Sequence, residues 1–303
     1  MRSGNEPRSG TYFEVLGEGG PAPAVLMIHG GGATGGCFRH DLAGGAGWAD
    51  LLAERGHEVW VVDWPGCGRS GGRQVAELDY ADVVDGIRAV LRDVIAKPAV
   101  VVPHSMGGAI AWQLVERDPD LVAGVVSVAA AAPGNLDPSS TVLDDDGRTI
   151  RVRFDPSGAE FTIDRRRGYL YEDDYVYRQG IGASTRFPRD RVDEFRAGLV
   201  PFPPQMLLQR LGVAPGLPAV AETGRFAGMG VRLVAGTEDR AHGRDQELST
   251  VALLASWGAE AELVWLGDRA IAGNGHFMMF EENSREVLAV IADQVEAVGA
   301  GRG

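Results

Sequence analysis

The sequence predicts an α/β fold: a mostly parallel central sheet with helices on both faces and an inserted cap. Three observations carry that prediction. Short apolar, β-branched runs alternate with stretches of helical spacing, the pattern of parallel strands covered on both sides. One such run, Val100–Val102, gives way across Pro103-His104-Ser105-Met106-Gly107-Gly108-Ala109 to a helix, a reversal that only small side chains permit. The alternation stops at about Gly134 and resumes after Leu217, leaving a segment richer in Asp, Arg, Tyr and Pro between. The boundaries that follow are 1–133 for the first part of the core, 134–217 for the cap and 218–303 for the second part.

In chain order, Thr11–Leu16 reads as a short edge strand. Ala24–Ile28 is an apolar strand that runs into His29-Gly30-Gly31-Gly32. Trp48–Arg55 has helical spacing and is closed by Gly56, and Glu58–Asp63 is the next strand, followed by the turn-rich Trp64-Pro65-Gly66-Cys67-Gly68-Arg69-Ser70. Tyr80–Ile95 places Val83, Val84, Ile87, Val90, Leu91 and Val94 at helical intervals. After the elbow and its helix comes the strand Val122–Val128. Within the cap, Thr149–Phe154 and Glu160–Ile163 alternate polar and apolar around Asp155-Pro156-Ser157-Gly158, a hairpin pattern. Asp144-Asp145-Asp146 reads as a solvated loop tip, Asp190–Leu199 as a helix, and Pro201-Phe202-Pro203-Pro204 as rigid punctuation. The core then resumes with strand Val231–Ala235, helix Gln246–Trp257, strand Glu262–Leu266 and helix Ser284–Val298.

Bulk composition narrows the function. The chain has 303 residues, 45% hydrophobic and 23% charged, the proportions of a globular protein long enough to bury a full core. A net charge of -13 argues against nucleic acid or an anionic membrane as partner, since either needs a basic face. Neither the first residues nor any later stretch is apolar enough for a signal peptide or a span, so the expected location is cytoplasmic. Cys37 and Cys67, the two cysteines, are too few for a disulfide framework and are expected as free thiols.

In such a sheet, ligands bind beyond the carboxyl ends of the strands. Ser105 stands there on the elbow, where its Oγ is thrust out of the sheet. Capping of the following helix would explain a Ser at that position, but not the residues on the neighbouring loops. The Gly-rich loop after Ile28 supplies backbone that can aim an N–H at a developing oxyanion, together with the N–H of Met106. Strand Val231–Ala235 is followed by Gly236-Thr237-Glu238-Asp239, and the last strand by Gly273-Asn274-Gly275-His276. A hydroxyl becomes a nucleophile only when a base takes its proton, and that base needs a carboxylate to hold its tautomer. Ser105, His276 and Asp239 can supply those three parts, with Glu238 the alternative acid. His29, His40, His57, His104 and His242 read as structural or surface residues. No pair has zinc-ligand spacing, and neither metal nor cofactor is expected.

These residues, in the order Ser105, Asp239, His276, resemble the α/β-hydrolase fold superfamily. More narrowly, the chain resembles its bacterial serine esterase branch. The likeness rests on Gly44-Gly45-Ala46-Gly47-Trp48, on an elbow whose first position is Pro103 rather than Gly, and on Gly273-Asn274-Gly275-His276-Phe277-Met278-Met279. It covers the sheet domain well and the cap poorly. It implies Ser105 as nucleophile, His276 as base, and the N–H groups of Gly31 and Met106 as the oxyanion hole. Two features depart from that branch. The strand after the elbow ends in Ala129–Ala132, where the branch carries a triad Glu, and the oxyanion loop has Gly31-Gly32 in place of adjacent cysteines.

The expected function is hydrolysis of a carboxylic ester or lactone of a small apolar molecule through an acyl-enzyme on Ser105. The alternatives are a thioester or C–C bond hydrolase or a biosynthetic cyclase or lyase using the same triad, and a non-catalytic ligand-binding protein on the same fold. The partner is the small-molecule substrate, with a homodimer left open. The cap aromatics Phe154, Phe161, Tyr169, Tyr171, Tyr175, Tyr177 and Phe202 read either as an apolar lid or as a small core of their own.

Overall fold

The apolar runs assemble into one sheet in a computed structural model that describes residues 1–136, 139–181 and 184–300. Its strands before the inserted segment are β1 (Arg2–Asn5), β2 (Tyr12–Leu16), β3 (Ala24–Ile28), β4 (Val59–Val62), β5 (Ala99–Pro103) and β6 (Val122–Val128). The inserted segment holds β7 (Ser140–Asp145), β8 (Thr149–Phe154) and β9 (Ala159–Asp164), and β10 (Gly230–Ala235) and β11 (Glu260–Trp265) follow it. The helices are α1 (Trp48–Glu54), α2 (Tyr80–Ala89), α3 (Gly107–Arg117), α4 (Asp173–Tyr175), α5 (Val192–Ala197), α6 (Pro204–Arg210), α7 (Arg244–Ser256) and α8 (Ser284–Gly299). The large sheet has eight strands in the order β1-β2-β4-β3-β5-β6-β10-β11. β1 and β2 pair antiparallel, as do β2 and β4, and the remaining pairs are parallel.

Strand periodicity sorts the core. Leu26 and Ile28 of β3 pack on one face with Val83 and Ile87 of α2 and Trp112 of α3. Val25 and Met27 point the other way, to Leu52 of α1 and Val287 and Ile291 of α8. Both faces are thus covered, which is why the strands are apolar throughout rather than alternating. β4 and β5 flank β3 on opposite sides, so the loops leaving β3 and β5 diverge and open a crevice at their carboxyl ends. A second sheet of three antiparallel strands, β7-β8-β9, lies within the inserted segment.

The structure corrects several expectations. β2 is not the edge: β1 pairs outside it, Arg2 opposite Val15 and Asn5 opposite Tyr12. β1 is polar and mostly exposed, so it joins through backbone hydrogen bonds that leave no hydrophobic pattern to read. The Tyr80–Ile95 helix is α-helical only to Ala89, and Val90–Ile95 winds wider, ending with the Ala96 N–H on the Leu91 carbonyl. The hairpin gains a third strand, β7, and the acidic run is divided: Asp144 and Asp145 end β7, while Asp146 accepts the N–H groups of Arg148 and Thr149 in the turn. Pro204 does more than punctuate. It opens α6 at the first helical position, where a missing N–H costs nothing. Cys37 and Cys67 are free and buried, and burial pushes the Cys67 thiol up to about 12.

Candidate active site

Ser105 stands at the tip between β5 and α3 with φ at +51°, the left-handed region that a non-glycine residue seldom occupies. The turn is held from both sides. The Ser105 N–H donates to the carbonyl of Ala129 at 3.1 Å, and its own carbonyl accepts from Ala131 at 2.7 Å and from Gly108 at 2.9 Å. The small residues around it follow from this packing: a Cβ on Gly108 would lie 2.3 Å from the Ala131 oxygen, and one on Gly30 2.6 Å from Ser105 Cβ. Strain at one residue is thereby offset by close backbone packing on both neighbours.

The loops after β10 and β11 bring two of the expected residues to this tip. Ser105 Oγ and His276 Nε2 lie 2.9 Å apart, and His276 Nδ1 lies 2.8 Å from Asp239 Oδ2. Asp239 is buried, and its other oxygen accepts the Ala241 N–H at 2.8 Å. Burial by itself would raise the Asp239 pKa; His276, with its charge and hydrogen bond, and His242 outweigh that and hold the carboxyl well below the usual carboxylate range. Glu238, the alternative acid, turns away and accepts the Thr185 N–H at 2.6 Å.

Further side chains hold His276 in place. His104 donates Nε2–H to the His276 carbonyl at 2.9 Å, so the elbow is tied to the loop that carries His276. Glu281, which the sequence pattern does not single out, accepts the Gly275 N–H at 2.7 Å and the Asn274 side-chain amide at 2.5 Å. Its burial pushes its pKa up despite those bonds. Removing it strands two buried donors. Glu281→Ala should therefore lower unfolding free energy by about 2 kcal/mol, read as a shifted midpoint in urea.

The Gly-rich loop is fixed by His29, buried in front of β5. Its Nδ1–H donates to the Gly30 carbonyl at 2.8 Å and its Nε2 accepts the Trp64 N–H at 3.1 Å. Burial holds this imidazole's pKa down, which suits a ring that must both donate and accept. In a trans peptide the N–H opposes the carbonyl, so a fixed Gly30 carbonyl also fixes the direction of the Gly31 N–H. Asp63 adds a second tie: it accepts the Gly35 N–H at 2.8 Å and the Arg69 N–H at 2.8 Å. Among the described residues, the N–H groups of Gly31 and Met106 have no hydrogen-bond partner. The two residues also touch, since a Cβ on Gly31 would fall 2.7 Å from Met106 Sδ.

Above Ser105 lies a cavity whose wall includes Met106, Phe154, Phe161, Tyr171, Tyr175, Leu207, Arg210, His242 and His276. Some aromatics of the inserted segment line this cavity and some pack behind it, while Tyr177 is exposed. Tyr171 and Tyr175 stack at 4.4 Å and line the cavity, while Tyr169 and Phe202 sit buried behind them, 5.5 Å apart. His242 is neither a surface residue nor remote: its ring stacks on His276 at 5.3 Å, and its Nδ1 bonds Glu247 at 2.8 Å. No spacing rule links His242 to that cavity, which only the loop after β10 brings it to. Among the described residues no cluster could hold a metal ion, and no helix is long and apolar enough to cross a membrane.

Residues 25–290 match the model of a family described as the alpha/beta hydrolase family. The chain is 25% identical over 267 residues to a protein of Fungal sp. (strain ATCC 74256) named "Probable secreted lipase phiG", covering 81% of this chain and 63% of that one. It is 37% identical over 120 residues to the pimeloyl-[acyl-carrier protein] methyl ester esterase of Chromobacterium violaceum, covering 40% of this chain and 41% of that one. The matched stretches thus span less than two thirds of these relatives' own lengths. Among solved structures, a thermophilic esterase from Thermogutta terrifontis superposes with a TM-score of 0.61 at 16% identity, over 96% of this chain and 94% of that one. At that identity the likeness speaks for the fold alone.

Proposed function

The chain belongs to the alpha/beta hydrolase family, and on that premise we propose that it cleaves a carboxylic ester or lactone through an acyl-enzyme on Ser105. The observation that carries this reading is the unbroken line from Ser105 Oγ through His276 to Asp239, at 2.9 Å and 2.8 Å. Esterases and lipases among its relatives agree with ester hydrolysis in general. In the narrower esterase likeness the acid follows the strand after the elbow; here the carboxylate at His276 follows β10 instead.

The reaction follows from the donors and acceptors. Ser105 Oγ attacks the acyl carbon while His276 Nε2 takes the hydroxyl proton, and Asp239 holds the Nδ1–H tautomer and stabilises the imidazolium. Negative charge collects on the former carbonyl oxygen, where the unengaged N–H groups of Gly31 and Met106 receive it. The tetrahedral intermediate collapses, the C–O bond to the alcohol breaks, and His276 returns its proton to the departing oxygen. A water molecule then gives its proton to His276 and attacks the acyl-enzyme; its collapse frees the acid and restores the Ser105 hydroxyl. Residues 134–217 act in this reading as a cap whose aromatic side chains shape the acyl pocket.

Hydrolysis of p-nitrophenyl butyrate, with intact-mass measurement after a fluorophosphonate, tests the proposal. We expect turnover that falls on acidification, because a protonated imidazole cannot act as base, and a single covalent adduct. Absence of both turnover and adduct would overturn it and favour a ligand-binding protein on this fold.

A further inference from the structure

Among the described residues, a cation in the cavity over Ser105 has no counter-ion. Arg210 lies at the C-terminal end of α6, half-buried, and lines the cavity together with Ser105 and His276. Among the described residues its guanidinium pairs with no carboxylate, and its one defined contact is the Phe154 ring, 5.4 Å from its centroid. Other shielded arginines of this chain are paired: Arg39 with Glu14 and Asp50, Arg69 with Glu14 and Asp63, Arg88 with Asp118. Nor, among the described residues, does any Asp or Glu line the cavity. In a chain of net charge -13, an unpaired guanidinium in the wall of the cavity that holds the candidate nucleophile is placed to meet an anion that a ligand supplies.

A second polar group faces the same space. His242 also lines the cavity, and because its Nδ1 is engaged by Glu247, Nε2 is the nitrogen left for whatever enters. Glu247 is itself buried and committed to that pair. The remaining wall is aromatic and aliphatic: Phe161, Tyr171, Tyr175 and Leu207.

Resting on the reading of Ser105 as nucleophile, we propose that Arg210, with His242 beside it, forms a carboxylate subsite, so that the enzyme selects apolar esters bearing one carboxylate, such as half-esters of dicarboxylic acids. The planar guanidinium fork matches a carboxylate's two oxygens. One guanidinium and one imidazole suit a monoanion better than a phosphate, whose second charge and third oxygen would go unmet. The substrate's apolar spacer packs on the aromatic wall while its far end meets Arg210, which orients the ester carbonyl over Ser105.

The test compares mono-p-nitrophenyl succinate, glutarate and adipate with p-nitrophenyl butyrate, in wild type, Arg210→Gln and Arg210→Lys. The readout is the ratio of kcat/KM for each carboxylated ester to that for butyrate. We expect the best carboxylated ester to beat butyrate in wild type, and Arg210→Gln to cut that ratio about 10- to 100-fold, the worth of a charge-assisted hydrogen bond. Arg210→Lys should restore part of it. A ratio that the substitution leaves unchanged for all three diacids would overturn the proposal. A binding arm separates this failure from failure of the hydrolase reading: monomethyl glutarate titrated calorimetrically into Ser105→Ala, with and without Arg210→Gln. Ester turnover with no Arg210 dependence in either arm sinks the subsite alone. Arg210-dependent binding in a protein that turns over no ester upholds the subsite and sinks the hydrolase reading.

Discussion

Ser105→Ala is expected to lower kcat/KM for p-nitrophenyl butyrate by about 10⁵-fold and to abolish the fluorophosphonate adduct. The size of the effect comes from removing the attacking atom, after which only the oxyanion donors and binding remain to assist water. The fold should survive, because among the described residues the Oγ bonds His276 Nε2 and no other side chain, while the backbone bonds that hold the elbow stay in place. Alanine must still adopt the left-handed conformation at φ +51°, so the melting temperature is expected to change little. An alanine variant that melts like wild type yet retains most of its activity would remove Ser105 from the reaction.

Asp239→Asn should cost about 10⁴-fold in kcat, while Glu238→Gln stays within about twofold of wild type. The contrast follows from partners. Asp239 accepts the Nδ1–H of His276 at 2.8 Å, and an amide in its place can donate to Nδ1 instead, which puts the ring proton on Nε2 and leaves no lone pair there to take the Ser105 proton. Among the described residues, the Glu238 side chain bonds the Thr185 backbone alone. The same carboxylate carries a pH signature. Its pKa is lowered in the folded protein, so its contribution to stability is present above the unfolded value of about 4 and is lost as pH falls toward the folded one. Asp239→Asn should flatten that acid limb in equilibrium unfolding measured between about pH 5 and pH 2. Equal losses of activity in Asp239→Asn and Glu238→Gln would reassign the acid.

Much of the fold was legible because burial on both faces leaves a plain trace. Val25–Ile28, Val59–Val62 and Val100–Val102 have no polar side to hide, and the helices between them keep their apolar stripe. β1 left no such trace, since an exposed outer strand is held by hydrogen bonds and buries no apolar side chains of its own. β7 was equally silent, with four exposed residues in a row. The elbow was readable for a steric reason: Gly107 and Gly108 are the sizes that the Ile28 and His29 carbonyls and the Ala131 backbone leave room for.

By itself the sequence determined the layered sheet, the strained Ser105 and the loops that carry Asp239 and His276, because each depends on residues adjacent in the chain. Tertiary structure alone decided that Asp239 rather than Glu238 meets His276, that Glu281 and His104 hold the loop of His276, and that Arg210 and His242 share one cavity with Ser105. Adjacent residues on a loop point in different directions, and residues as far apart as His104 and His276 meet only once packing has placed their elements. Local spacing encodes the first kind of fact and contains nothing of the second.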